Sequence, residues 1–408
     1  MTTREKLSKP SEFGSQYVFV LCLVSVGIGN IAFPPTIPIF SRYYLPICLL
    51  LVLCSFVFNA RRVGSQLLYL QVVVLVFLSF LPGFLVTNLN PYGQTKLLAV
   101  VVALILVVAP SISRNISENV ELALKFILLI SIGTSVCLLL FGESDVAGRI
   151  TLWGLNPIST GRVAGLAVVI LFTVMVTRWQ SLAPYWLGMI GIPIGVIATF
   201  QSGSRGPILA IMVSAAAILL TAGPTKTFIK RALVLSFLGF GSLLLFSSSA
   251  LENTRLTTAD ANGRDILFGA AFDAIVASPV GIGWGNFYLE LPNFSRVDAY
   301  TLYPHNIFLE IGVEGGWFAL ATFAVLVLLC LRNLLIAVRV GDNTATVILA
   351  ILIFTLVNAS LSSDFVGNRL LWLSIGLSLL PIRSKQYSNC GGQEQPCSKE
   401  LSARSKNQ

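Results

Sequence analysis

Charged residues are scarce in this 408-residue chain, since only 11% of the residues are Asp, Glu, Lys or Arg and 55% are hydrophobic. An average soluble domain carries about a quarter charged residues. The apolar runs recur along almost the whole chain, and they are too long and too numerous for one water-soluble core. The composition therefore predicts an all-α polytopic membrane protein, because backbone amides in lipid must be paired within helices.

Several motifs that carry enzymatic chemistry are missing as well. A single histidine excludes a metal site built from several histidines. The chain has no Gly-Lys-Ser loop for the phosphates of ATP and no Asp-rich metal motif on the predicted outer face. Its cysteines lie inside apolar runs or, for Cys390 and Cys397, in a polar C-terminal tail, so neither disulfides nor a zinc cluster is indicated. We expect no metal, no cofactor and no ATP-driven step.

Apolar runs of the length that crosses a bilayer, roughly 20 residues with about 17 to 25 tolerated, occur along the chain. We predict twelve transmembrane helices, at Gln16–Phe33, Tyr43–Phe58, Gln66–Val86, Lys96–Ile112, Val120–Phe141, Gly161–Val176, Tyr185–Phe200, Pro207–Ala222, Ala232–Ala250, Asn306–Leu331, Thr344–Ser360 and Arg369–Ile382.

The distribution of Lys and Arg predicts which side of the membrane each loop faces. With the N-terminus inside, the inner segments carry 18 of the 27 Lys and Arg residues and the outer segments carry 9. Both termini are therefore predicted to be cytoplasmic. The net charge of +9 is then mostly an insertion signal, which argues against nucleic acid as a partner. We predict one transmembrane domain over 1–383 and a disordered cytoplasmic tail over 384–408.

One long outer segment, 251–305, separates the ninth and tenth predicted spans. We predict that it contains a short helix, which begins near Asn262 as a cap and ends at Ser278-Pro279. The glycine-rich sequence from Gly281 to Gly285 is typical of a turn. The apolar surface of this helix favours a position in or near the membrane interface, and long ordered loops are usually functional.

Three arginines lie at outer helix junctions, where a cation is costly unless it is paired or wetted. Arg205 follows Gly203 and Ser204 in a tight polar turn, Arg264 opens the loop helix, and Arg162 stands at the outer end of the sixth span. Each is a candidate anion-binding residue. The alternative is that they extend to lipid headgroups or pair with nearby acids such as Asp364.

His305 lies where the long outer segment enters the tenth span, directly after Pro304. The proline fixes the direction of the chain, and a helix N-terminus favours a neutral imidazole that can accept a proton. The alternative is an interfacial histidine bonded to backbone. Glu310 and Glu314 would lie about 140° and about 180° around the helix from His305, so Asp364 is the better candidate to orient His305 or an arginine.

Together these residues indicate a particular chemistry. The guanidinium fork matches the oxygens of a diphosphate, and a neutral histidine suits removal of a proton from an attacking hydroxyl. The combination suggests displacement of a lipid diphosphate by an acceptor hydroxyl, outside the cell and without ATP.

Five short motifs occur in a defined order and on the same predicted face, at Ser202-Gly203-Ser204-Arg205-Gly206, Gly263-Arg264-Asp265, Gly281-Ile282-Gly283, Pro304-His305-Asn306 and Glu314-Gly315-Gly316. Because of these motifs and their order, the chain resembles the bacterial O-antigen ligase and O-antigen polymerase superfamily. The similar stretch runs from about Gly161 to Trp372, and the earlier spans match only in hydrophobicity.

The resemblance implies a twelve-span glycosyltransferase of the membrane-embedded GT-C type in the bacterial inner membrane, with a periplasmic active site. It implies an undecaprenyl-diphosphate-linked glycan as donor and no metal. By matching motif, Arg205 and Arg264 would bind the donor diphosphate and stabilise its departure, and Arg162 would assist. His305 would act as base on the acceptor hydroxyl or position it, and Asp364 would support the site.

The acceptor separates the branches of this superfamily. A ligase transfers finished O-antigen to lipid A-core, and a polymerase transfers a growing glycan to another lipid-linked repeat unit. One modest outer loop in a compact chain favours the ligase, although the polymerase fits the same features. A transporter of lipid-linked oligosaccharides or small anions is the alternative of a different class, but transporters tend to place polar sites near the bilayer midplane.

Overall fold

The computed structural model describes residues 10–29, 45–54, 67–85, 90–112, 116–145, 148–221, 264–291 and 302–380. Of these residues 81% are helical. The helices are α1 (Pro10–Ile28), α2 (Leu45–Cys54), α3 (Leu67–Ser79), α4 (Leu81–Leu85), α5 (Pro91–Val108), α6 (Ile116–Phe141), α7 (Pro157–Thr177), α8 (Tyr185–Gln201), α9 (Arg205–Thr221), α10 (Arg264–Ala277), α11 (Ile307–Arg339), α12 (Asn343–Leu361) and α13 (Arg369–Ser378).

The remaining described elements are short. The 3₁₀ turns Ala109–Ile112 and Phe287–Glu290 follow α5 and α10. Strands β1 (Glu143–Ser144) and β2 (Ile150–Thr151) pair antiparallel between α6 and α7. The part of the chain that the structure describes is therefore a helical bundle, as the composition predicts.

Five helices are long and apolar enough to cross a membrane, at Pro91–Ser111, Glu118–Phe141, Pro157–Thr177, Ile307–Arg339 and Asn343–Leu361. They coincide with five of the predicted spans and support an integral membrane protein. Six other predicted spans contain shorter apolar helices. The ninth predicted span, Asn262 and the tail over 384–408 lie outside the described residues.

Contacts between helix ends place several candidate residues at one end of the bundle. Lys96, near the start of α5, pairs with Glu310 near the start of α11 at 2.7 Å. Glu310 accepts a hydrogen bond of 2.8 Å from the backbone of Phe365, just after α12. Arg162, near the start of α7, donates to the carbonyl of Ser362 at 2.7 Å. These contacts bring the starts of α5, α7 and α11 together with the end of α12, and we call this the junction end.

The start of α9 also lies at the junction end. A Cβ atom added to Gly206 would lie 3.8 Å from the side-chain oxygen of Asn358, in the last turn of α12. A Cβ atom at Gly161 in α7 would meet the hydroxyl of Ser202, just before α9. Small residues thus let α7, α9 and α12 approach closely, as at helix interfaces in membranes.

Helix α11 is interrupted at Gly316, where the backbone has φ 84° and ψ 177°. The backbone N–H of Trp317 donates to the carbonyl of Pro279 at 2.9 Å. The carbonyl of Val313, its partner in an unbroken helix, accepts from Ile282 at 2.9 Å instead. The segment after α10, residues 278–287, is called the link. It bonds to the backbone groups that the break in α11 leaves without helical partners.

A buried aromatic cluster lies beneath the junction end. Trp284, from the link, and Phe365, from the loop after α12, approach each other with ring centroids 5.5 Å apart. Trp284 also donates its indole N–H to the carbonyl of Phe80 at 2.9 Å. Phe80 and Trp372 complete the cluster, and all four side chains are almost fully buried. The loop after α12 and the link, which lie near the candidate residues, are therefore packed against a buried aromatic core.

Candidate functional site

His305 lies at the entrance to α11 in a left-handed backbone conformation, with φ 56°. The helix begins only at Ile307, because Asn306 is its N-cap and accepts hydrogen bonds from the backbone of Phe308 and Leu309 at 2.9 and 3.2 Å. His305 is therefore outside the helix, and counting helical angles from it, as the sequence analysis does for the two following glutamates, is wrong. Its side chain is 6% exposed, so the capping turn holds the imidazole in a defined place.

Tyr303 packs against this imidazole, with ring centroids 4.4 Å apart. Burial, together with the negative charges of Asp364 and Glu310, raises the pKa of the Tyr303 phenol well above its ordinary value. The positive charges of Arg162 and Lys96 act in the opposite direction. Tyr303 is therefore a neutral phenol that packs against His305 and is influenced by the charged groups of the junction end.

Arg162 is bound mainly to the C-terminal end of α12. Its guanidinium donates to the carbonyls of Asn358 and Ser362 at 3.0 and 2.7 Å, and to the side-chain oxygen of Asn368 at 3.3 Å. Carbonyls at a helix C-terminus lack intrahelical partners and carry partial negative charge. Arg162 therefore fixes the segment from Asn358 to Asn368 to α7, and a diphosphate-binding role for it stays a prediction.

Asp364 lies in that fixed segment. Its carboxylate accepts a hydrogen bond from the hydroxyl of Tyr92 at 2.7 Å and another from the backbone of Gly367 at 2.8 Å. Its carbonyl accepts from the side chain of Asn368 at 2.7 Å. The carboxylate is therefore oriented by α5 and by its own turn, within the electrostatic field of Tyr303 and Arg162.

Arg205 is the first residue of α9 and is exposed. The preceding turn is tight, because Gly203 has φ 61° and a Cβ atom there would lie 2.8 Å from the side chain of Arg149. Arg149 is itself paired with Asp145 at 2.7 Å. A helix N-terminus supplies backbone N–H groups that favour an anion. The exposed guanidinium of Arg205 and the start of α9 therefore both favour binding of an anion.

Arg264 is the first residue of α10 and is half-buried. Its Nε atom is buried and has no hydrogen-bond partner among the described residues. The helix packs against α11, since the side chain of Ile275 lies against Gly312 and its carbonyl accepts from the Trp317 indole at 2.7 Å. The helix ends at Ala277, as the Ser278-Pro279 pair predicts.

The structure thus packs Tyr303 against His305 and links Arg162 to Asp364 through Asn368, and the charges of Arg162 and Asp364 act on Tyr303. Arg205 opens a helix that starts at the same junction end, and Arg264 opens a helix that packs against the first half of α11. The catalytic and diphosphate-binding roles of these residues stay predictions.

One buried group escaped the sequence analysis. Lys96, counted there as an outer cation at the start of a span, is fully buried between Glu310 and Glu314. The signal that could have found it is local, because three charged groups stand within one or two turns of helix starts in otherwise apolar runs. The sequence could not show that α5 and α11, whose paired residues are more than 200 positions apart, are in contact.

Comparison with known proteins finds a family to which part of this chain is similar. No curated protein matches the chain. Residues 190–324 match the family model described as O-antigen ligase. The matched segment contains Arg205, Arg264 and His305, while Arg162 and Asp364 lie outside it. The match supports an enzyme of the ligase or polymerase type that acts on lipid-linked glycans in a membrane. Residues 190–324 are thus similar to the O-antigen ligase family, which confirms the resemblance to the O-antigen ligase and polymerase superfamily.

Proposed function

We propose that this protein transfers a glycan from undecaprenyl diphosphate to an acceptor hydroxyl at the periplasmic face of the inner membrane, with inversion and without a metal. The first choice of acceptor is lipid A-core, which makes the protein an O-antigen ligase. The observation that carries the proposal is the grouping of the capped His305, Tyr303, Asp364 and the cation Arg162 at the junction end. The match of residues 190–324 to the ligase family supports the same reaction.

The reaction balances with the groups of the junction end together with Arg264. The acceptor hydroxyl forms a bond to the anomeric carbon of the donor sugar while its proton passes to the imidazole of His305. The bond between that carbon and the diphosphate oxygen breaks, and undecaprenyl diphosphate leaves with the bonding electrons. Arg205 and Arg264 stabilise the charge that develops on the leaving group, since guanidinium groups suit diphosphate oxygens. Asp364 and Tyr303 support the site electrostatically.

A reconstituted transfer assay tests this proposal. The purified full-length protein in lipid is incubated with the lipid-linked glycan and, in separate reactions, with lipid A-core or with a second lipid-linked repeat unit. Transfer to lipid A-core identifies a ligase, whereas growth of the lipid-linked chain alone identifies a polymerase. If neither product forms and the donor is instead moved across the bilayer, the protein is a transporter and the proposal is wrong.

The two arginines give the sharpest variants in this assay. We expect Arg205→Ala and Arg264→Ala each to lower turnover by about two to three orders of magnitude, as loss of a preorganised electrostatic donor does. Arg339→Ala removes an exposed arginine at the opposite end of α11 and serves as the control. Near-normal turnover in either of the first two variants would contradict the role of that arginine.

A further inference from the structure

Lys96, Glu310 and Glu314 form a buried ionic group that the proposed reaction does not use, and we call it the Lys96 cluster. The ammonium nitrogen of Lys96 lies 2.7 Å from one carboxylate oxygen of Glu310 and also contacts a carboxylate oxygen of Glu314. All three side chains have no exposed surface. The ammonium also lies 4.6 Å from the centroid of the Tyr92 ring.

Each carboxylate of the cluster also holds a neighbouring segment. Glu310 accepts the backbone N–H of Phe365 at 2.8 Å, directly after Asp364. Glu314 accepts the backbone N–H of Phe287 at 3.4 Å and is also hydrogen-bonded to the backbone of Gly285. Through these bonds, Glu310 holds the loop that carries Asp364 against α11, and Glu314 holds the link that follows α10 against the same helix.

Lys96 connects these fastened segments to α5. One turn earlier in α5, the hydroxyl of Tyr92 donates to Asp364 at 2.7 Å. Asn90, the N-cap of α5, donates from its side chain to the carbonyl of Gly285 at 2.9 Å. The first turns of α5 therefore contact both the Asp364 loop and the link, and Lys96 joins them to the helix that begins just after His305.

Directional bonds of this kind do something that apolar packing does not. Replacing a buried ion pair by well-packed apolar side chains is often neutral or stabilising, so stability alone gives a weak reason for the cluster. Charge-assisted hydrogen bonds add geometric specificity, and in some proteins buried polar groups fix the register of packed helices. In the Lys96 cluster such bonds join the start of α11 to the Asp364 loop.

We propose that Lys96 is a positioning residue for the transfer reaction, which holds His305 and Asp364 in register through Glu310 and Glu314; this inference rests on the proposed function. Lys96 does not touch the substrates. Its loss disturbs the geometry of the reacting groups more than it weakens donor binding.

The kinetic test compares Lys96→Met with the matched control Lys125→Met. Lys125 pairs with Glu121 at 2.9 Å on the surface of α6, so its loss removes an ion pair far less buried than the cluster. We expect kcat of Lys96→Met to fall about a hundredfold, as small misplacements of reacting groups do, while the donor KM stays within about threefold of wild type. Lys125→Met should match wild type. A donor KM that rises while kcat is unchanged would overturn the proposal.

Two further variants separate positioning from folding. Lys96→Arg keeps the charge and can bridge both carboxylates, so we expect its kcat within about tenfold of wild type. The triple variant Lys96→Met/Glu310→Gln/Glu314→Gln removes the buried charge, so it should regain thermal stability but not kcat. This triple variant replaces Lys96→Met if the single variant does not fold. Recovery of wild-type kcat in the triple variant would show that the cluster only balances charge.

A second readout does not depend on activity. His305 is the only histidine of the chain, so its modification by diethyl pyrocarbonate can be followed on a protein purified without a histidine tag. We expect modification of folded Lys96→Met to be about tenfold faster than in wild type, as expected for a locally loosened segment, with Lys96→Arg restoring the slow rate. An unchanged rate in Lys96→Met overturns the proposal. If the wild-type protein transfers no glycan, the proposed function fails, while a faster rate in Lys96→Met still supports positioning.

Discussion

At the scale of single residues, the junction end keeps many polar side chains away from solvent. Lys96, His305, Glu310, Asn358 and Asn368 are each at most 6% exposed. Burying such groups is costly unless they are hydrogen-bonded or paired. Some of these groups bond to backbone near helix ends, as Glu310 does with Phe365, and Lys96 pairs with Glu310 and Glu314. Part of the cost of burial is therefore offset where the helices start and stop.

Tyr303 gives a prediction about pH at this scale. In an unfolded chain the pKa of a tyrosine phenol is about 10. Burial and the nearby carboxylates raise the pKa of Tyr303 in the folded state, so its proton stays bound to higher pH. The folded state then binds more protons than the unfolded state, so this stabilisation is complete below about pH 10 and is lost as the pH rises further.

We expect Tyr303→Phe to lose less thermal stability than wild type between about pH 9 and about pH 11. The measurement is the midpoint of thermal unfolding in detergent across that range. Tyr17→Phe, at a tyrosine that is 40% exposed, controls for the loss of a phenol as such. Parallel curves for wild type and Tyr303→Phe would contradict the prediction.

Sequence patterns located some of these residues and missed others for physical reasons. Pro304 and Asn306 are local helix-start signals, so the position of His305 at the entrance to α11 could be predicted. Glu310 was visible as a charge in an apolar run, but its partner depends on how α5 packs against α11. Residue types within one turn are readable from sequence, whereas pairings across the bundle need the fold.

At the scale of elements, the break in α11 has the largest structural effect. Gly316 has φ 84°, and a Cβ atom there would lie 2.5 Å from the backbone carbonyl carbon of Val280. The Glu314-Gly315-Gly316 motif lies within the predicted span Asn306–Leu331, where the hydrophobic pattern predicts no interruption. Two adjacent glycines after an acidic residue were the signal for a break that the sequence offered. The sequence does not show that Ile282 bonds to the carbonyl that the break leaves open.

Gly316→Ala should therefore destabilise the protein by about 1–3 kcal/mol or more, because the side chain strains a left-handed backbone and meets the link. Gly133→Ala is the matched control, since nothing lies within 4 Å of a Cβ atom there and alanine favours a helix. The midpoint of thermal unfolding in detergent compares the two. Equal midpoints would mean that the link moves aside without cost.

At the scale of the whole molecule, the bundle has two ends that the charge distribution assigns to opposite sides of the membrane. Strands β1 and β2 lead into α7, whose start is at the junction end. The turn at Val340 joins α11 to α12 at the opposite end. From the excess of Lys and Arg on the predicted inner segments we expect the junction end to be periplasmic.

Cysteine labelling tests this orientation in a background without the native cysteines. We expect a membrane-impermeant maleimide to label Ser144→Cys in intact spheroplasts and Val340→Cys only after permeabilisation, because both side chains are exposed at opposite ends. Mass spectrometry of the labelled protein gives the extent of reaction. The reverse pattern would put the junction end in the cytoplasm and exclude a periplasmic reaction.

The lengths of α8 and α9 have a consequence for the surrounding lipid. Each has 17 residues, so each spans about 26 Å at the rise of an α-helix, against about 30 Å of hydrocarbon. A bilayer accommodates such hydrophobic mismatch by thinning locally. We therefore expect the headgroup layer to dip toward the turn before Arg205, so that the proposed polyprenyl diphosphate donor would reach this arginine while its isoprenoid chain stays in the membrane.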